Sequence, residues 1–248
     1  MSFDAFFKIH DGMRREAPGD EASTLTALAG LGPLPPGPRV LDLGCGPGGH
    51  TLELARALPD ANIVAVDLHA PFIERLAREV AEQGLATRVH PRVADFGALD
   101  EAEGTNDLIW SEGAIYHLGF GTGLRRWRPL LRAGGAMAIT ELTWLGPAQT
   151  RPAEAREFWA AAYPAMTTIA ANCAAAEAAG LRVLETFTLP ERAWAAYYEP
   201  LAARVEALRG EAEHDPALAT AIADTMAEID LWRRCGAHYG YVFYLLRA

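Results

Sequence analysis

Val40-Leu41-Asp42-Leu43-Gly44-Cys45-Gly46-Pro47-Gly48-Gly49-His50 is the stretch on which the fold turns. RVLDLG (39–44) reads as a short buried strand covered on both faces. It runs into a glycine loop, and a helix then extends from His50 to Leu58 and stops at Pro59. Glycines let a backbone approach a ligand closely, and a helix N-terminus offers free N–H groups. A strand, a glycine loop and a helix in this order make the first half of an α/β unit with a ligand site at its turn.

The same alternation continues outward. NIVAVDL (62–68) is a second buried strand, and the helix PFIERLAREVAEQG opens on Pro71 and closes on Gly84. RVHPRVADF (88–96) is a weaker third strand whose Pro91 suits an edge. DLIWS (107–111) is a fourth, a helix covers Leu124 to Leu131, and AMAITEL (136–142) is a fifth strand after the Gly134-Gly135 break. Strands alternating with helices imply right-handed crossovers and an open parallel sheet covered on both faces. Helical stretches then cover Pro152–Tyr163 and Met166–Gly180, followed by a strand at 181–189. A helical hairpin, Glu191–Arg209 and Pro216–Arg234, precedes a last strand, HYGYVFYLLR.

Composition narrows the function classes. The 248 residues suffice for one full core, and 22 basic against 32 acidic residues leave a formal charge of −10. Lys8 is the only lysine. So acidic a chain repels phosphate polymers, and Arg125, Arg126, Arg128 and Arg132 read as a solvated helix face, so nucleic acid is excluded as a partner. Cys45, Cys173 and Cys235 are odd in number and too scattered for a zinc site, which predicts no metal and a reducing, cytoplasmic setting. The N-terminus lacks the apolar core of a signal peptide, and no apolar run approaches the roughly 20 residues that span a bilayer, so no membrane association is expected.

Three acids stand in register with the glycine loop. Asp42 ends strand one, where a pyrophosphate would be repelled and an ammonium group welcomed; S-adenosylmethionine carries one, and NAD does not. Asp67 ends strand two, where a carboxylate accepts both ribose hydroxyls of a nucleoside. Asp95, followed by Phe96, ends strand three, where an acid accepts the adenine amino group beside an aromatic border. Together they describe an adenosyl pocket at the switch point of the sheet.

VLDLGCGPGGHT and its downstream acids resemble motif I and its companions in class I S-adenosylmethionine-dependent methyltransferases, over about residues 38–145. The resemblance implies a Rossmann-like α/β fold, a seven-stranded, mostly parallel sheet with its last strand antiparallel. It also implies that Gly44 and Gly46 lie under the methionine part and that Asp42 orients its amino group. Asp67 would hold the ribose with Leu68 packing on adenine, Asp95 and Phe96 would flank the adenine edge, and Ser111 would line the floor beside the methionine moiety. SEGAIYHLGF (111–120), FWAAAYPAM (158–166), FTLPERAW (187–194) and YGYVFYLLR (239–247) further resemble a bacterial group of small, mostly uncharacterised methyltransferases. Ser111-Glu112-Gly113-Ala114 stands where nucleic-acid amino methyltransferases carry an Asn-Pro-Pro-Tyr-type motif, which disfavours base methylation.

Methyl transfer from a sulfonium is an in-line displacement in which the protein supplies alignment and a dry pocket. A base is needed only if the acceptor must lose a proton, and the catalytic candidates follow strand four: Glu112, Tyr116 and His117. Glu141 is a further carboxylate at the same edge. Residues 1–30 are expected to form a leader and helix acting as a lid, in which His10, Asp11 and Arg14 could touch substrate. Residues 31–248 form the methyltransferase domain, with helical insertions at about 146–180 and 190–235 that make a cap. Trp194, Tyr197, Leu201, Val205 and Leu208 give the hairpin one apolar face, open either to the segment bearing Phe158 and Trp159 or to a second subunit in a homodimer. Losing residues 1–15 is expected to cost turnover far more than stability. The leading function is methylation of a small molecule. A cofactor-binding protein without turnover and a protein methyltransferase remain alternatives.

Overall fold

Apolar strand runs with alternating side-chain directions need helices on both faces, and a computed structural model, which describes residues 3–248, has that arrangement. Seven strands, β1 (Arg39–Leu43), β2 (Asn62–Asp67), β3 (Val89–Val93), β4 (Asn106–Ser111), β5 (Leu131–Trp144), β6 (Arg182–Thr188) and β7 (Tyr239–Arg247), form one sheet ordered β3-β2-β1-β4-β5-β7-β6. β1 to β5 pair in parallel, and β7 lies antiparallel between β5 and β6. The Pro91 strand is at the edge, as expected.

Side chains alternate along β1. Val40 faces Leu52 of α3 (Gly49–Ala57) and Leu76 of α4 (Ala70–Glu82), in a core that also takes in Ala27 of α2 (Glu21–Gly30). Leu41 and Leu43 join the opposite core with Phe120, Leu124 and Trp127 of α5 (Phe120–Trp127) and Ala176 of α7 (Ile169–Ala178). β2 and β4 flank β1 on opposite sides, so the connections that leave β1 and β4 diverge and open a crevice at the strands' carboxyl ends.

Two stretches differ from expectation. β5 begins at Leu131 and runs through Gly134-Gly135 without a break, because Leu131 pairs with Asn106 and a register shift follows, with Gly134 in the left-handed region at φ +74°. The leader forms a helix, α1 (Phe3–His10), whose Ala5 and Ile9 are buried.

Those two residues enter a third core with Trp159 of α6 (Ala153–Ala162), Trp194, Tyr197, Leu201, Val205 and Leu208 of α8 (Glu191–Ala212), and Leu218 and Ile229 of α9 (Pro216–Cys235). The apolar face of α8 is thus covered within the chain by α1, α6 and α9. Among the described residues no helix is long and apolar enough to cross a membrane. Leu201→Ala leaves a void in this core and is expected to lower the unfolding free energy by about 2–5 kcal/mol in a urea titration. An unchanged midpoint would place the α8 face outside the folding core.

Candidate active site

The site begins at the glycine loop. Gly44 has φ +74°, and a Cβ there would come within 2.3 Å of the Ala114 Cβ, so glycine is required twice over. The amides of Gly44 and Cys45 donate to the Val66 carbonyl at 2.8 and 3.0 Å, which ties the loop to β2. Asp67 then clasps two segments: its Oδ2 accepts from the Gly46 amide and its Oδ1 from the His69 amide, both at 2.9 Å. Asp95 Oδ1 accepts from the Gly97 amide at 2.7 Å, and Trp127 donates to the Phe96 carbonyl at 3.0 Å, fixing the third corner.

These corners enclose a cavity of about 710 Å³ at the carboxyl edge of the sheet. Of the residues expected at the site, Gly44, Gly46, Asp67, Leu68, Asp95, Phe96, Glu112, Tyr116 and His117 share its wall. Two stand behind it. Asp42, expected to meet a ligand ammonium directly, faces α3 instead. Thr51 donates to its Oδ2 at 2.6 Å, and His50 Nε2 lies 3.1 Å from its Oδ1. The alternation of β1 turns Asp42 toward that helix, so it acts on the cavity through His50, which is in the wall. Ser111, expected on the floor, is fully buried and donates to the Leu43 carbonyl at 2.7 Å, joining the ends of β4 and β1.

Glu112, expected as a catalytic group, is an anchor. It accepts from Arg15 at 2.7 Å, Trp110 Nε1 at 2.9 Å and Thr24 at 3.0 Å, and Arg15 also pairs with Glu53. Burial opposes the Glu112 charge, but Arg15, His50 and these hydrogen bonds outweigh it and hold the carboxyl below the usual range. It is therefore ionised and committed. Burial, then the charges of Glu228, Glu141 and Glu16, push the Tyr116 hydroxyl up to about 12, so Tyr116 keeps its proton and serves as a donor. Burial lowers His117 below the usual imidazole range, which leaves it neutral and able to accept a proton.

The leader lines one side of the cavity. Phe7 stacks on His69 with centroids 3.6 Å apart and rings within 6° of parallel, and meets Phe72 edge-on. Phe3, Phe6, Phe7, Arg15 and Glu16 all belong to the wall. Of the leader residues considered from sequence, His10 bonds to Glu16 at 2.5 Å, whereas Asp11 and Arg14 are exposed. Arg15 and Glu16 were missed; the signal available was an Arg-Arg-Glu run in an otherwise aromatic leader of an acidic chain. Arg15 also corrects the expectation for truncation, since removing residues 1–15 takes away a buried cation between two buried acids and costs stability as well.

Residues 40–135 match the family model of a methyltransferase domain. The structure superposes on a SAM-dependent methyltransferase from Thiobacillus denitrificans, in complex with S-adenosyl-L-homocysteine, with a TM-score of 0.83 at 22% identity, covering 100% of this chain and 99% of that one. A SAM-dependent methyltransferase from Geobacter sulfurreducens, in the same complex, gives 0.82 at 21% identity over 98% and 97%. A dimethylglycine N-methyltransferase from Parasynechococcus marenigrum is 34% identical over 120 residues, 48% of this chain and 42% of that protein. Phosphoethanolamine N-methyltransferase 3 from Arabidopsis thaliana is 37% identical over 109 residues, 44% and 22%. The chain thus spans less than half the length of these two curated relatives. It shares the fold of the S-adenosylmethionine-dependent methyltransferases on which it superposes, and the match to the methyltransferase domain falls on β1 to β4 and the start of β5.

Arg15→Met strands Glu112 and Glu53 and is expected to destabilise the protein by about 3–5 kcal/mol at neutral pH. The folded Glu112 carboxyl titrates below its unfolded value, so its contribution is present above the unfolded pKa and is lost as pH falls through the folded one. In the variant the deficit therefore shrinks toward acid pH, as the stranded carboxylates take up protons. Urea titrations from neutral pH down to about pH 4, just below the usual glutamate pKa, check this; a deficit independent of pH would remove the charge from the explanation.

Proposed function

We propose that the chain is an S-adenosylmethionine-dependent methyltransferase that methylates a small molecule. The observation that carries this is the convergence of Asp67, Asp95 and the glycine loop on one cavity that the leader's phenylalanines also line. The residues present fit the cofactor. Asp67 and Asp95 lie at the ends of neighbouring strands with only some of their lone pairs occupied, which suits ribose hydroxyls and an adenine amino group. Leu68, Phe96 and Leu118 supply apolar surface for a purine, and about 710 Å³ lies within the usual range for ligand cavities.

When bound, S-adenosylmethionine supplies an electrophilic methyl group on a sulfonium. The chain's own residues do the rest. Asp67 both shapes the glycine loop and faces the ligand, so loop geometry and ribose recognition depend on one carboxylate. Glu112 and Arg15 hold the leader down without exchanging protons. Phe6 and Phe7, half-buried in the wall, shield the reacting edge from water. Where an acceptor must lose a proton, neutral His117 is the group in the wall able to receive it, while Tyr116 donates a hydrogen bond.

A small acceptor is favoured over a protein tail because the leader lines the cavity beside the glycine loop and leaves a ligand-sized space of about 710 Å³. Two relatives point the same way, one named for dimethylglycine and the other for phosphoethanolamine. The charge of −10 disfavours a nucleic-acid acceptor.

Calorimetry is expected to show binding of S-adenosylhomocysteine and much weaker binding of NAD. Asp67→Ala should weaken the former by about 1.5–3 kcal/mol, since it removes charge-assisted hydrogen bonds to two hydroxyls. Tight NAD binding without S-adenosylhomocysteine binding would overturn the assignment, and an unchanged affinity in Asp67→Ala would move the ribose contact elsewhere.

A further inference from the structure

A second cavity, of about 460 Å³, adjoins the first. Its wall is built from α1, α6, α8 and α9 and includes Phe158, Tyr197, Asp224 and Glu228. Phe6 belongs to both cavities, and His10, in the wall of the second, bonds to Glu16, in the wall of the first. Phe6 and the His10–Glu16 pair therefore stand between the two.

The junction is rich in acids and aromatic rings. Glu228 reaches in from α9 and accepts from the Tyr198 hydroxyl at 2.9 Å. Behind the cavity walls, Glu141 of β5 is 2% exposed and leaves Oε2 without a partner; Glu16, in the wall of the first cavity, likewise leaves a buried Oε1 unpaired. All three carboxylates bear on the Tyr116 hydroxyl, whose ring packs edge-on at 5.8 Å from Tyr163. The two arginines near them are already engaged, Arg75 with Glu79 and the Met13 carbonyl and Arg15 with Glu53 and Glu112, while His10 bonds to Glu16 itself. Burial raises all three carboxyls above the usual range, Glu141 to about 8, against the hydrogen bonds that His10, Tyr198 and Tyr163 make to them, so Glu141 holds a proton at neutral pH that a neighbouring cation would release.

An anion is repelled here, and an uncharged ligand leaves buried acceptors unsatisfied. A positively charged nitrogen satisfies both the carboxylates and the ring faces. We propose that the junction of the two cavities is an acceptor subsite that binds an organic ammonium group carried by the small molecule that is methylated. Its role as an acceptor subsite rests on the methyltransferase activity proposed above; its preference for a cation does not.

The test is calorimetry on the full chain, with and without saturating S-adenosylhomocysteine. The probes are choline against its uncharged isostere 3,3-dimethylbutan-1-ol, and butylammonium against butan-1-ol. At least one ammonium ion is expected to bind about tenfold tighter than its uncharged counterpart, equivalent to about 1.4 kcal/mol. Glu228→Gln should remove most of that difference while thermal unfolding stays cooperative. Glu141→Gln provides the same readout should the first variant not fold. If neither ammonium ion exceeds its isostere in protein that binds S-adenosylhomocysteine, the subsite is overturned and the methyltransferase assignment stands. Ammonium binding without S-adenosylhomocysteine binding would have the opposite meaning.

Discussion

The guanidinium of Arg15 joins segments that the chain connectivity leaves apart. It is buried between Glu53 of α3 and Glu112 at the end of β4, and its Nη2 also donates to Thr24 of α2 at 3.2 Å. Two acids at one point would repel each other and desolvate at a high cost; with one cation between them they become a fixed point. The leader's course over the glycine loop depends on it. A Cβ at Gly49 would meet the Arg14 carbonyl at 2.5 Å and the Arg15 Cγ at 3.0 Å, so the leader lies directly on the start of α3.

From that anchor the closed site follows. Arg15 sets where the leader crosses, and α1 is held from two sides. Ala5 and Ile9 sink into the cap core, while Phe7 stacks on His69 at the start of α4. The cavity thus has a rigid floor made of strand ends and a roof made of a short helix. α1 meets α4 through the contacts of Phe7 with His69 and Phe72, and the Arg15 cluster fixes the segment that follows α1.

Asp67 belongs both to the scaffold and to the cavity wall. The carboxylate that faces the cavity also accepts the amides of Gly46 and His69, so the loop and the helix that follows β2 are oriented by the group they present. Asp42 has the opposite character: its two oxygens serve His50 and Thr51, and its influence on the cavity passes through His50, whose imidazole is raised above its usual range by the charges of Asp42 and Glu112 against the effect of burial.

The strand, glycine loop and helix at 39–57, the acids that end β2 and β3, and the apolar period of α8 were all legible in the sequence, because each rests on short-range rules. Glycine is demanded by backbone angle and close approach, strand ends by apolar runs, and helix faces by a spacing of three to four residues. The direction of Asp42 and Ser111 was not, since it depends on which face of β1 and β4 each side chain takes and on which helix covers that face. Nor was the engagement of Glu112, whose partners Arg15 and Thr24 lie about ninety residues away in sequence. The sequence by itself determined the doubly covered sheet and the residue types at its carboxyl edge. Tertiary structure alone decided which of those acids stay free to meet a ligand, because a carboxylate's availability is set by the donors that distant segments bring to it.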